Sequence, residues 1–242
     1  MRITAVLGAT GGIGSAVVTK LMEAGDFVFL LDHERAEARA SALLTRWPEQ
    51  GAFLACDLAE PASIEAAFAH IAAHGAGLDT CINAAGTIRR GRFVEVPRAE
   101  LGEMLQVNVG GAYLALQAAA RLMMAGHGGR LVILASAHGL RTTAERSTYA
   151  MCKGAMLALA RALAVELGPH GILVNAVAPG PVSAGMQDAE SESRRRWQAA
   201  TPLGRVATAD EVAAAVAFLA SAENTFVSGE TLVVDGGANV AM

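Results

Sequence analysis

The chain has 242 residues, 53% of them hydrophobic and 17% charged, with a formal net charge of −4. That length fits one large α/β domain with a sizeable core, and the composition is that of a globular chain, not a disordered one. The acidic balance and the lack of a basic stripe argue against nucleic acid as a partner. Three cysteines, Cys56, Cys81 and Cys152, show neither a CxxC pair nor zinc-type spacing with histidine. They read as reduced thiols of a cytoplasmic protein without a metal site. The opening run MRITAVLGATGG is too short in apolar residues for a secretory signal, and no 18-residue stretch is continuously apolar. No export and no membrane span are therefore expected.

The first predicted strand, ITAVLG, runs into GATGGIGSAVV, which sets Gly8, Gly12 and Gly14 between a strand and a helix over 13–24. A helix N-terminus offers unpaired N–H groups and a positive dipole end, and glycine lets a phosphate approach the backbone. A glycine-rich turn is weak evidence by itself, but the strand-to-helix context is the one a dinucleotide requires. The second strand, DFVFLLD, ends at Asp32, eighteen residues after Gly14. An acid there accepts from ribose hydroxyls and repels a 2′-phosphate, which predicts NAD over NADP. Arg35 nearby keeps NADP open. The third strand, AFLACD, ends at Asp57, either an acceptor for the adenine amino group or a turn aspartate.

Pro61 opens a helix over 62–74, and DTCINAAG is the fourth strand. A long apolar helix is expected over 101–125, with Asn108 inside it. A buried asparagine must find partners or destabilise the fold. The fifth strand, GRLVILAS, ends at Ser136, thirteen residues before Tyr149. The next helix, 149–167, begins in STYAMCKGA, which places Tyr149 and Lys153 at i and i+4 on one face. A free tyrosine has a pKa near ~10, and bringing it to neutrality needs roughly 3–4 kcal/mol of differential stabilisation. A neighbouring ammonium works in that direction, so the pair suits proton transfer beside a hydride carrier. YxxxK alone also fits an ordinary tyrosine beside a snorkelling lysine. ILVNAVAPG is the sixth strand, and the irregular stretch after it reads as a substrate loop or lid over 181–201. Thr208 and Glu211 form a capping box for a helix over 209–220, and ETLVVDGG is the last strand. Strands with little polar alternation between helices predict a doubly wound parallel sheet, in one α/β domain over 1–242.

GATGGIG, NAAG at 83–86, VNVGGAY, the Ser136, Tyr149 and Lys153 set, VNAVAPG and the C-terminal PLGRVATADEV to VVDGG follow one another over nearly the whole chain. In these motifs the chain resembles a classical short-chain dehydrogenase/reductase. The resemblance implies a Rossmann-type sheet of about seven strands with helices on both faces. It implies Tyr149 as acid/base, Lys153 as the nicotinamide-ribose ligand that depresses the tyrosine's pKa, and Ser136 as the donor to the substrate oxygen. Asn108 would hold a water in a proton relay behind Lys153. Gly8, Gly12, Ile13 and Gly14 would face the diphosphate, Asp32 the ribose, and Asp57 and Leu58 the adenine. Asn83, Ala84 and Gly86 would support the adjoining ribose, and Pro179, Gly180 and Val182 the nicotinamide end.

The chain departs from the family pattern in three places. Leu7 and Ala84 stand where relatives often carry threonine and asparagine. Ala184 stands where a threonine often reaches the nicotinamide carboxamide, leaving Ser183 or the Val182 backbone for that task. The loop NAAGTIRRGRF resembles that of gluconate and deoxygluconate dehydrogenases, where Arg89 or Arg90 would pair with a sugar-acid carboxylate. Both arginines also fit an exposed loop edge, as does the run at 194–196. His138 is a candidate pocket residue or a bare wall residue. The expected activity is an NAD-dependent interconversion of a secondary alcohol and a ketone, on a polyol or sugar acid. A 3-oxoacyl thioester reductase is the alternative, and a non-catalytic dinucleotide sensor the reading from another class. The family resemblance also implies a homotetramer.

Overall fold

Seven runs rich in Val, Ile, Leu and Phe form the strands of a computed structural model: β1 (Ile3–Leu7), β2 (Phe27–Asp32), β3 (Gly51–Ala55), β4 (Thr80–Asn83), β5 (Gly129–Leu134), β6 (Ile172–Pro179) and β7 (Thr231–Val234). The structure describes residues 1–75, 77–183 and 198–241. Most of the expected lid, with Ala184 and Arg194 to Arg196, lies outside the described residues. The strands pair in the order β3-β2-β1-β4-β5-β6-β7, every pair parallel. The order reverses between β1 and β4, where the carboxyl ends of two strands part and leave a crevice.

Helices α1 (Gly12–Glu23), α2 (Glu37–Leu44), α3 (Pro61–Ala73), α4 (Arg98–Leu105), α5 (Ala112–Ala125), α6 (Ser147–Leu167) and α7 (Ala209–Ala220) cover the sheet on both faces. Side chains alternate along each strand, so Ile3, Ala5 and Leu7 face one layer while Val6 faces the other. The first layer packs Leu131, Ile133 and Val174 against Ile64 and Phe68 of α3, Leu116 of α5 and Met156 of α6. The second packs Val28, Leu30 and Val132 against Val17 and Leu21 of α1 and Val212 and Val216 of α7. Burial on both faces explains the near-continuous apolar reading of the strands. The capping box at Thr208 and Glu211 is formed, and Pro61 stands at the start of α3. No described helix is long and apolar enough to cross a membrane.

Two elements differ from the sequence expectation. The helix expected over 101–125 is three pieces: α4, a wider π-helical turn over Gln106–Gly111, and α5. The cause is local. Gly111 packs so closely on the Leu58 carbonyl that no Cβ fits, and Asn108 turns inward to bond the Met104 and Thr87 backbone. The second is α2, whose segment EARASALL buries only Ala40.

Candidate active site

The carboxyl ends of β1, β4, β5 and β6 open into one cavity of about 460 Å³. One end is built on the glycine turn. Gly8 has φ +71°, and a Cβ there would lie 2.7 Å from the Ala85 backbone, so the turn requires glycine. Gly8 N–H donates to the Leu31 carbonyl at 2.8 Å and Ala84 N–H to the Leu7 carbonyl at 2.9 Å. Backbone bonds thus tie the turn to both neighbouring strands without a hydroxyl at position 7. Gly12, Ile13 and Gly14 line the cavity at the start of α1. That helix has no side-chain cap and no acid in its first turn, a donor set that fits a diphosphate.

Beside the turn, Asp32 accepts at Oδ2 from the Thr10 N–H at 2.9 Å and hydroxyl at 2.7 Å, and at Oδ1 from the His33 N–H at 2.9 Å. A carboxylate has about four acceptor sites, so three donors orient it and leave capacity for a ribose. Arg35 and Arg39 share this wall, and Arg39 Nε donates to the Thr10 hydroxyl at 3.3 Å. Asp57 and Leu58 are on the wall as expected. Asp57 also holds its own turn, accepting the Ala59 N–H at 2.9 Å, and lies 3.5 Å from His33 Nε2. Ala84 and Gly86 face the cavity. Asn83 is not part of the wall; it is buried beneath it, where Oδ1 accepts the Ala85 N–H at 3.2 Å.

The other end carries Ser136, Tyr149 and Lys153, with Pro179, Gly180 and Val182 across from the glycine turn. Ser136 ends the β5 segment, is buried, and its hydroxyl accepts the His138 N–H at 3.2 Å. Burial raises the Tyr149 phenol above its ordinary value, while a hydrogen bond with Ser136 and the charge of Arg146 pull it down. Lys153 is buried, and its Nζ donates to the Leu134 carbonyl at 2.9 Å. Burial pushes its pKa down to about 8. Lys153 Nζ lies 5.8 Å from the Tyr149 ring centroid, and the Arg146 charge is a second cation that favours the phenolate.

Asn108 lies behind this wall. It accepts the Thr87 N–H at 3.0 Å and donates to the Thr87 and Met104 carbonyls at 3.1 and 3.0 Å. A Cβ on Gly86 would sit 2.6 Å from Asn108 Oδ1 and 3.3 Å from Lys153 Nζ, so the glycine lets these two side chains approach. Asn108 is therefore a positioning residue, fixing the strand-to-loop turn against Lys153.

The substrate candidates separate. Arg89 is exposed and reaches Glu103 of α4 at 3.9 Å, and Arg90 is exposed; neither lines the cavity. His138 does line it, edge-on to Tyr149 with ring centroids 5.9 Å apart. Its pKa falls to about 4 through burial, then the charges of Arg146 and Arg90, so the imidazole is neutral at neutral pH. Val182 is on the wall and Ser183 is not. Sequence reasoning missed Thr10, His33 and Arg39 at the adenosine end and Arg146 at the chemical end. The available signal for Arg146 was its position three residues before Tyr149, one helical turn away.

A family model described as enoyl-(acyl carrier protein) reductase matches residues 8–239. The 3-oxoacyl-[acyl-carrier-protein] reductase FabG of Aquifex aeolicus is 33% identical over 239 residues, 98% of this chain and 96% of the relative. A short-chain dehydrogenase from Burkholderia cenocepacia, solved in complex with NADP, superposes with a TM-score of 0.93 at 32% identity over 98% of each chain. A putative gluconate dehydrogenase from Agrobacterium tumefaciens gives a TM-score of 0.94 at 25% identity, covering 100% of this chain and 97% of the other. With the parallel sheet, the glycine turn and the Ser136, Tyr149 and Lys153 wall, these likenesses establish that the chain belongs to the classical short-chain dehydrogenase/reductase family and is an oxidoreductase using a nicotinamide dinucleotide.

Proposed function

We propose that the chain interconverts a ketone and its secondary alcohol, with Tyr149 as acid/base and NAD as the preferred cofactor. The observation that carries this reading is that Ser136, Tyr149 and Lys153 share one cavity wall, opposite a glycine turn flanked by Asp32. The wall of Gly8, Gly12 and Asp32 would hold a nicotinamide dinucleotide, whose chemistry would be hydride supply to, or uptake from, the carbinol carbon. The Ser136 hydroxyl donates to the substrate oxygen and orients it. The Tyr149 hydroxyl gives its proton to that oxygen in reduction and takes it back in oxidation. Lys153 would donate to the cofactor's ribose beside Tyr149, and Asn108 holds the loop that packs on it. A purely binding protein would not require this set of four.

Asp32 supports NAD, because an ionised carboxylate at the ribose repels a 2′-phosphate. Arg35 and Arg39 on the same wall, and the NADP carried by the Burkholderia relative, support the opposite preference. On the substrate side, the curated relatives support a 3-oxoacyl thioester more than a polyol or sugar acid. The sugar-acid reading rested on Arg89 and Arg90, which lie off the cavity wall. Steady-state reduction of 3-oxobutanoyl thioester, sugar acids and cyclic ketones, each with NADH and NADPH, tests both points. A kcat/KM at least about tenfold higher with NADH is expected, since a factor of ten corresponds to ~1.4 kcal/mol and one charge repulsion exceeds that. A higher value with NADPH would contradict the cofactor assignment.

A further inference from the structure

Among the described residues on the chemical wall, Arg146 is a charged side chain to which the reaction above gives no contact with substrate or cofactor. It precedes α6, is 5% exposed, and lines the cavity with Ser136, His138 and Tyr149. Its Nη1 is buried without a hydrogen-bond partner, and no ion pair among the described residues includes it. The charges that act on it are Arg90, which repels it, Tyr149, and the exposed Glu145. The first turn of α6 contains no acid. A buried guanidinium without a counter-ion is costly, and a ligand anion at this wall would complete it.

Its backbone is also held in place at some cost. Glu145, the residue before it, adopts φ +63°, a left-handed conformation uncommon outside glycine. The Glu145 carbonyl accepts the Gly91 N–H at 3.2 Å, which pins the loop before α6 to the loop after β4. That bond holds the backbone where the chain enters α6 at Arg146.

We propose that Arg146 is the carboxylate-binding residue of the substrate pocket, and that the substrate is a short oxo acid and its hydroxy acid, bound with the free carboxylate on Arg146 and the reacting oxygen at Ser136 and Tyr149. This rests on the ketone–alcohol reading above and chooses the free acid over the thioester. Arg146 and Tyr149 stand at i and i+3, where Cβ atoms are about 5–6 Å apart, so only a few bonds separate carboxylate from carbonyl. The planar guanidinium suits two parallel bonds to one carboxylate. A thioester carbonyl offers no charge to it. Neutral His138, edge-on to Tyr149, shapes the wall between the two groups.

The test compares 2-, 3- and 4-oxo acids with their primary amides and N-acetylcysteamine thioesters, for wild type, Arg146→Gln and Arg146→Lys. For the best acid, wild type is expected to favour acid over amide by on the order of 100-fold in kcat/KM, mostly through KM. Arg146→Gln should erase that preference, with a far larger fall in kcat/KM for the acid than for the amide, and Arg146→Lys should restore part of it. Melting provides a readout independent of turnover. The acid should raise the wild-type Tm and leave that of Arg146→Gln unmoved, and the unliganded variant should melt no lower than wild type, because an unpaired buried charge is removed. Equal use of acid and amide by wild type overturns the proposal, as does an equal loss on both substrates in Arg146→Gln with a lowered Tm. Turnover of thioesters or amides alone contradicts this inference and leaves the ketone–alcohol reading standing. No turnover of any carbonyl compound contradicts both.

Discussion

Spacing placed Tyr149 and Lys153 on one helix face, because i and i+4 is a local relation, but only the accompanying motifs singled the pair out. Their electrostatics were not legible in the sequence. Burial, a property of the whole fold, raises the phenol and lowers the ammonium, and Arg146 adds a cation near the phenol. Gly86 is the residue on which this arrangement depends most sharply. Its φ lies outside the left-handed region, so alanine meets no backbone penalty there. The penalty is contact: a Cβ 2.6 Å from Asn108 Oδ1 meets a side chain held by four neighbouring atoms and unable to yield. Gly86→Ala should therefore cost about 1–3 kcal/mol of stability, the usual range for overpacking. It should also lower kcat by at least about tenfold, since Lys153 is displaced with Asn108. A variant with wild-type Tm and kcat would show that the two side chains need no such closeness.

At the scale of elements, the seven strands were legible because both sheet faces are covered and each strand reads as a short apolar run. The capping box at Thr208 was legible for the same local reason: two side chains three residues apart satisfy two backbone donors. The π-helical turn was not, because its cause is a contact between Gly111 and Leu58, fifty-three positions apart. That turn directs Asn108 inward, and π turns recur at functional sites for such reasons. The same distinction explains the arginines. Arg89 and Arg90 stand out in sequence as a pair, yet one reaches Glu103 and both are exposed. Arg146 stands alone in sequence and is buried, next to a Gly91 to Glu145 bond that joins two loops distant in sequence.

For the molecule as a whole, the parallel sheet places the candidate site at one edge, the carboxyl ends of β1 to β6. The opposite demand is on the outer helices. Tyr113 and Met124 on α5 and Met151 and Val165 on α6 are exposed apolar side chains on helices built largely of small residues. We read these faces as the contact surfaces of a homotetramer, and light scattering at micromolar concentration should give four times the chain mass; the mass of one chain would contradict that assembly. The reaction itself is tested most directly by Tyr149→Phe, assayed on the carbonyl compound that wild type reduces fastest, together with the Kd for NADH. Removing only the phenolic hydroxyl should cut kcat by about 10²–10⁴-fold, the range for a general acid–base, with cofactor affinity within about threefold of wild type. Turnover retained in the variant would contradict the assignment of Tyr149 as the proton donor and, with it, the mechanism proposed for this chain.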